Sequence, residues 1–303
     1  MVNNPKNMID EINDNIFDYD SVKKDSIIII QNPDEIYDIN VIIPVKGRRE
    51  FALPMYNSFV AARESSGLNI TYTIVEFSDI PEHSQFCKNN KINYLWIPSK
   101  PGDLFNKCLA FNIGVFFSNR AKYILMHDID CLMQSDFFVK LEENVSVKKC
   151  KAIQCFTGRR VLYCNSELTS KIIDGNFDID NLSIDMPEVD YPRMGGQIMI
   201  GAPGGSIMID RELFFEVGGY DPELFQANSP EDAFFWEKVN TISKMETANE
   251  PDIEIYHMFH PPTYYSNPKL QDMQAIHQYF QRMDTDSKKK VIDYKSDLIK
   301  KYK

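Results

Sequence analysis

The sequence predicts an α/β fold: a mostly parallel central sheet flanked by helices, with a smaller mixed C-terminal half. Three observations carry this. Short β-branched runs alternate with helical patterns from Ile39 to Met126, the signature of βαβ units. The runs carry almost no polar breaks, as strands buried on both faces do. The chain has 303 residues, 43% of them hydrophobic, enough for one large domain or two modest ones with a real core. The expected divisions are an N-terminal extension over 1–38, a main domain over 39–266 and a Lys-rich helical tail over 267–303.

Composition narrows the function. A formal net charge of −11 argues against a nucleic-acid groove. The six cysteines include no C-x-x-C pair, so neither a zinc site nor a redox motif is indicated. The N-terminus is polar, without the apolar core of a signal peptide, and no stretch approaches about 18 consecutive apolar residues. A reduced, cytoplasmic setting is expected.

In chain order, Met1 to about Asp38 is acidic and Asn-rich, with a helix and a short strand at Ile27–Ile30 expected. Ile39–Val45 (INVIIPV) is the first buried strand. Pro44 and Gly47 break it, and the cations of Lys46-Gly47-Arg48-Arg49 follow directly. A basic loop there suits a phosphate-bearing ligand, because guanidinium forks match phosphate oxygens; a merely solvated loop is the plain alternative. Glu50–Ser66 reads as an amphipathic helix with Phe51, Met55, Phe59 and Ala62 near helical spacing. Ile70–Phe77 is the second strand, with Glu76 and Asp79 at its end, where a carboxylate accepts from a ribose or base. Lys91–Pro98 is the third strand. Asp103–Ser118 follows as a helix with Phe105, Asn106 and Lys107 in its anion-facing first turn.

The next strand ends in His127-Asp128-Ile129-Asp130. Residues i and i+2 of an extended chain share a face, so Asp128 and Asp130 are expected to point the same way. Paired carboxylates raise each other's pKa unless something positive lies between them. A divalent cation is the simplest candidate, and hard oxygen ligands suit Mg²⁺ or Mn²⁺. Open α/β sheets bind ligands at the carboxyl ends of their strands, where this pair falls. Chance occurrence of D-x-D, with Asp as a helix cap, is the bland alternative. Phosphatases with an aspartyl nucleophile are the rival enzymes. Their motif usually continues into a Thr or Gly turn near the domain start, whereas Cys131-Leu132-Met133 follows here.

Further on, Lys151–Tyr163 reads as a strand, and the Asp-rich stretch from Thr169 to Gly195 as a long loop or partial lid. Gly204-Gly205 implies a bulge or close backbone approach. Asp210 caps a helix over Arg211–Val217. Ser229 is the expected N-cap of the next helix, with Pro230 at its first position. Glu231 and Asp232 then either complement the helix dipole or supply a general base. Ile253–Met258 is a late strand, with His257 near its end and His260 just after it as metal candidates. Ser287–Lys303 is a Lys-rich amphipathic helix with Val291, Tyr294, Leu298 and Tyr302 on one side. It is expected to pack on the domain or, alternatively, to rest on an anionic membrane face.

Together these motifs resemble the GT-A (Rossmann-like) nucleotide-sugar glycosyltransferases, above all the β-1,4-galactosyltransferase family and the transferase domains of bacterial chondroitin-type polymerases. The resemblance spans roughly Ile39 to Pro262. VIIPVKGRRE is similar to that family's first strand and basic loop, LFNKCLAFNIG to its FNRAKLLNVG helix, and MHDID to its HDVD. PGGSIMIDRELFFEVGGYD is similar to its sugar-bordering glycine segment, SPEDAFFWEKV to its GGEDDDIYNRL segment and HMFH to its M-x-x-H metal segment. The resemblance implies an inverting, UDP-sugar-dependent hexosyltransferase using Mn²⁺ (or Mg²⁺), held by Asp130 with His260 or, on the polymerase pattern, His257. It implies that Pro44, Lys46, Arg48, Glu76, Phe105, Lys107, Asp128, Gly204 and Gly205 surround the donor. Asp232 falls on the acceptor-side base, and Glu231 on a sugar contact. The transferred sugar would be a hexose or N-acetylhexosamine, with Ala202 in place of a bulky aromatic leaving room for an N-acetyl group. The acceptor would be a glycan, lipid-linked by pathway analogy, in bacterial surface polysaccharide synthesis, with peripheral contact at the inner membrane face. The family's W-G-W-G-G run is absent; Phe225–Pro230 stands there, so acceptor recognition does not carry over. The alternatives are a non-catalytic nucleotide-sugar-binding relative and a D-x-D phosphatase or nucleotidyltransferase.

Overall fold

The computed structural model describes residues 5–159, 161–176, 178–181, 188–189, 197–199, 201–227, 229–249, 251–261 and 267–303. The chain opens with α1 (Pro5–Asp14), α2 (Tyr19–Asp25) and a short strand, β1 (Ile27–Ile29). The expected alternation follows: β2 (Tyr37–Val45), α3 (Arg49–Ser66), β3 (Ile70–Ser78), α4 (Ser84–Asn89), β4 (Asn93–Pro98), α5 (Lys107–Phe117) and β5 (Ala121–His127). The second half holds β6 (Cys131–Met133), α6 (Phe137–Lys148), β7 (Ala152–Gln154), β8 (Val161–Tyr163), α7 (Ser166–Ile173), β9 (Glu188–Val189) and β10 (Gln197–Met199). It continues through β11 (Ser206–Asp210), α8 (Arg211–Glu216), α9 (Glu231–Ile242), β12 (Glu246–Thr247), β13 (Ile255–His257), α10 (Leu270–Arg282) and α11 (Thr285–Ile299).

The main sheet has the order β1-β4-β3-β2-β5-β11-β7-β12. Its centre, β4-β3-β2-β5, is parallel. β1 and β11 run against it, so the sheet is mixed rather than simply parallel. The reversal at β11 has a local cause. The chain arrives at Gly205 already beside the carboxyl end of β5, where the Asp128 amide donates to the Gly205 carbonyl at 3.0 Å. From there it can only run back down β5, pairing Ser206 with His127 and Asp210 with Tyr123. A smaller sheet, β6-β13-β8-β10-β9, forms beside it.

Alternation along β2 divides the core. Val41, Ile43 and Val45 face Phe51, Met55 and Phe59 of α3. Ile42 faces the other way, onto Leu109, Phe111 and Ile113 of α5. Both faces are covered, which is why the strand reads as an unbroken apolar run. Helix α5 sits directly on the sheet: a β-carbon at Gly114 would stand 2.5 Å from Ile42 Cγ2. Its start is set by Asn106, whose side chain accepts from the Leu109 amide at 2.9 Å.

Several expectations change. The single strand foreseen over Lys151–Tyr163 is two, β7 and β8, in different sheets, parted by a turn at Thr157–Arg159. The proposed lid begins as helix α7, and most of its remainder lies outside the described residues. Helix α11 packs into the core through Val291, Ile292 and Ile299. Leu298 and Tyr302 lie partly buried against that same core. Beneath α11 lies a buried ionic cluster. Lys295 bonds both Glu223 oxygens at 2.8 Å, and Lys238 reaches Asp221 at 2.5 Å and the Gly219 carbonyl at 2.5 Å. Among the described residues, no helix is long and apolar enough to cross a membrane.

Candidate active site

The site lies where β5 stops. His127 is fully buried, and its ring is spent as a bracket, Nδ1 to Ser206 Oγ at 2.8 Å and Nε2 to the Cys131 carbonyl at 2.5 Å. Asp128 to Asp130 are no longer strand: the Cys131 amide donates to the Asp128 carbonyl at 3.1 Å and closes a turn. The expectation that both carboxylates share one face therefore fails, because the pleat ends before the first of them. Asp128 turns to Lys107 at 2.9 Å. Asp130 turns to Arg48, His257 and His260.

Asp130 is 2% exposed, and its carbonyl accepts from the Met258 amide at 2.7 Å, which docks the end of β13 onto the turn. His260 Nε2 lies 3.2 Å from the Asp130 carboxylate and His257 Nε2 3.6 Å. One ligand atom from each of the three lies within 4.8 Å of the others. The His257 ring stacks on Tyr163 at 4.3 Å, and burial pushes its pKa down to about 4. A neutral imidazole presents a lone pair, and one carboxylate with two imidazoles is a donor set that fits a divalent first-row ion. The two histidines, alternatives in the sequence, are brought to the same carboxylate.

A second cluster gathers on Lys107, in the first turn of α5. Its ammonium lies 2.9 Å from Asp128, 3.1 Å from Asp232 and 3.7 Å from Glu231. Burial opposes its charge, but these three carboxylates outweigh burial and hold it well above the usual lysine range. Burial raises Asp128 to about 6 against the pull of Lys107. Burial and the neighbouring Asp232 push the Glu231 pKa up to about 8. Ser229 does not cap α9. Its amide and hydroxyl instead donate to Glu231 Oε2 at 3.2 and 2.9 Å, and Pro230 occupies the cap position. Asp232 accepts from Lys107 on Oδ2 and from the Tyr220 hydroxyl on Oδ1 at 2.8 Å. Gly204 lies against it.

A family model described as glycosyltransferase-like family 2 matches residues 67–262, which include the D-x-D turn, Asp232 and both histidines. The chain belongs to this family. No curated relative matches the chain. Among solved structures it resembles TarS of S. aureus in complex with UDP-GlcNAc, at 10% identity over 83% of this chain and 69% of that one, with a TM-score of 0.51. It also resembles the mannosyltransferase PcManGT from Pyrobaculum calidifontis in complex with GDP-Man and Mn²⁺, at 10% identity over 96% and 79% of the two chains, with a TM-score of 0.50. Drosophila β1,4-galactosyltransferase 7 in complex with xylobiose aligns at 13% identity over 82% and 83%, with a TM-score of 0.47. At these identities the likeness to TarS and PcManGT is one of fold, the GT-A fold.

In this glycosyltransferase, Pro44, Lys46, Arg48, Phe105, Lys107, Asp128 and Glu231 line one cavity of about 290 Å³. Lys46 donates to the Asp103 carbonyl and lies over the Phe77 ring at 5.6 Å. Arg48 adopts a left-handed φ of 57° at the start of α3 and pairs with Asp130. Glu76 is not part of the cavity wall. It is completely buried, and accepts from Ser78 Oγ at 2.7 Å, the Glu82 and His83 amides at 2.9 and 3.0 Å, and the Tyr94 hydroxyl at 2.5 Å. It fixes the loop after β3 instead of facing a ligand. Ala202 is 5% exposed within the main core, and its carbonyl accepts from Gln154 at 2.6 Å. Tyr220 was not foreseen as a site residue; in sequence it reads as one more core aromatic.

Proposed function

We propose that this glycosyltransferase transfers a hexose or N-acetylhexosamine from a UDP-sugar to a glycan hydroxyl, with inversion and with a divalent metal. The observation that carries it is the placing of two devices at one strand end. Asp130, His257 and His260 converge on one side; Asp232 and Glu231 stand on the other, with Lys107 and Asp128 between them. A Mn²⁺ ion held by the first group would neutralise charge developing on a departing diphosphate. Lys46 and Arg48 supply cations matched to phosphate oxygens, and Phe105 an aromatic wall for the uracil. Asp232 accepts the acceptor hydroxyl's proton as that oxygen bonds to the anomeric carbon. The bond from that carbon to the diphosphate oxygen breaks in the same displacement, which inverts the centre. Glu231, on the same cavity wall, contacts a donor or acceptor sugar. On the resemblance, the acceptor belongs to a bacterial surface polysaccharide.

Calorimetry with UDP, UDP-sugars and GDP-sugars, with and without Mn²⁺, tests this. Mn²⁺-dependent UDP-sugar binding that disappears in Asp130→Ala is the expected result. Absence of UDP binding under every metal condition overturns the donor assignment.

A further inference from the structure

We infer that Tyr220 is a positioning residue for the base: its hydroxyl fixes the orientation of the Asp232 carboxylate, leaving Oδ2 as the oxygen that receives the acceptor's proton. This rests on Asp232 being the base. The hydroxyl donates to Asp232 Oδ1 at 2.8 Å and has no other partner among the described residues. Tyr220 is 1% exposed, and its ring stacks on Phe235 at 4.4 Å with a 2° interplanar angle and lies 5.1 Å from Phe111. Its backbone is locked as firmly. The Asn112 side chain donates to the Tyr220 carbonyl at 3.0 Å and accepts from its amide at 2.9 Å. Asn112 is itself fully buried and donates again to the Tyr19 hydroxyl at 2.8 Å. The phenol is therefore held from three sides with one acceptor to serve.

Lys107 differs. It divides its charge among Asp128, Glu231 and Asp232, and it stands on the cavity wall where a donor diphosphate competes for it. When the donor draws Lys107 away, Oδ2 loses its hydrogen-bond partner, and Tyr220 remains as the donor that keeps the carboxylate oriented against Gly204. The charged and titratable groups facing Asp232 are Lys107 and Cys108 from α5, Asp128 from the turn after β5, Glu231 from its own helix, and Tyr220.

Tyr220→Phe keeps the stacked ring and deletes the donor. The expected result is a kcat lower by roughly ten- to hundredfold, the worth of one hydrogen bond to a charged group, with the donor KM and the melting temperature little changed. A lower kcat beside an unchanged donor KM and an unchanged melting temperature is a split that a merely structural role for the ring would not produce. Replacing Tyr220 with 3,5-difluorotyrosine, which keeps both the ring and the donor, holds kcat within a few-fold of the parent and covers the case in which the Phe variant misfolds. A parental kcat in Tyr220→Phe overturns the inference, as does a kcat loss that only follows lost stability. Asp232→Asn is measured alongside: if that variant turns over normally, the base assignment fails. If it is inactive while the Tyr220 variants behave as the parent, only the role of Tyr220 fails.

Discussion

Gly204 and Asp232 touch so closely that a β-carbon on the glycine would stand 1.8 Å from Asp232 Oδ2 and 2.4 Å from its Cγ. The glycine is thus explained by the side chain it makes room for, not by an unusual backbone. Gly204→Ala must push Asp232 off Lys107 and Tyr220. Turnover is expected to fall at least roughly tenfold, at a stability cost of about 1–3 kcal/mol for the overpacked site, with UDP-sugar affinity retained. Steady-state kinetics beside thermal melts would check it; wild-type kcat would show that the carboxylate's position is immaterial.

Asp232→Asn keeps the shape and still accepts from Tyr220, but it cannot take a proton. Turnover should drop by about 10²–10⁴, the usual contribution of a positioned base, while calorimetric binding of the donor stays within a few-fold of wild type.

For the metal, Asp130→Ala should abolish Mn²⁺ binding followed by electron paramagnetic resonance. His257→Ala and His260→Ala should each weaken it by at least the roughly 10–100-fold that loss of a mere supporting group costs. Full affinity in either histidine variant would remove that residue from the ligand set.

Glu231 sets a pH dependence of stability. Its folded pKa, about 8, lies above the ordinary glutamate value of 4.5. Its contribution is intact below the ordinary value and is lost as pH rises towards 8, because the unfolded chain ionises first. Glu231→Gln removes the penalty, so it should raise the melting temperature more at pH 8 than at pH 5. An equal shift at both pH values would contradict the raised pKa.

Lys295→Met strands Glu223 in the core, where the pair's side chains are 1% and 0% exposed. Breaking a buried pair from one side costs about 3–5 kcal/mol. Denaturant unfolding should show that loss, and adding Glu223→Gln should recover part of it.

The first half of the fold was legible because strands covered on both faces leave unbroken apolar runs, as β2, β3 and β5 do. Strand direction was not: β11 looks no different from its neighbours, and only the pairing of Ser206 with His127 reverses it. Asp130, Asp232, His257 and His260 could be singled out by residue type and by their places at element ends. Convergence of both imidazoles on Asp130 required β13 to lie between β6 and β8, a long-range pairing no local pattern encodes. Glu76 misled because a strand end normally faces a ligand, whereas here the chain folds back and Glu82 and His83 cap the carboxylate with their amides. Ser229 misled too: instead of accepting from the amides of the helix start, its hydroxyl donates to Glu231.

The pairing of Lys295 with Glu223 also orders events during synthesis. Glu223 stands three residues beyond Tyr220, in the segment that leads to Asp232, yet its partner lies 72 residues downstream. The sheet and its first helices can assemble while the ribosome is still translating. The buried carboxylates Asp221 and Glu223, in the segment between Tyr220 and Asp232, lack Lys295 as a partner until α11 has emerged and docked. A chain that stops before residue 295 lacks the ammonium with which the buried Glu223 carboxylate pairs.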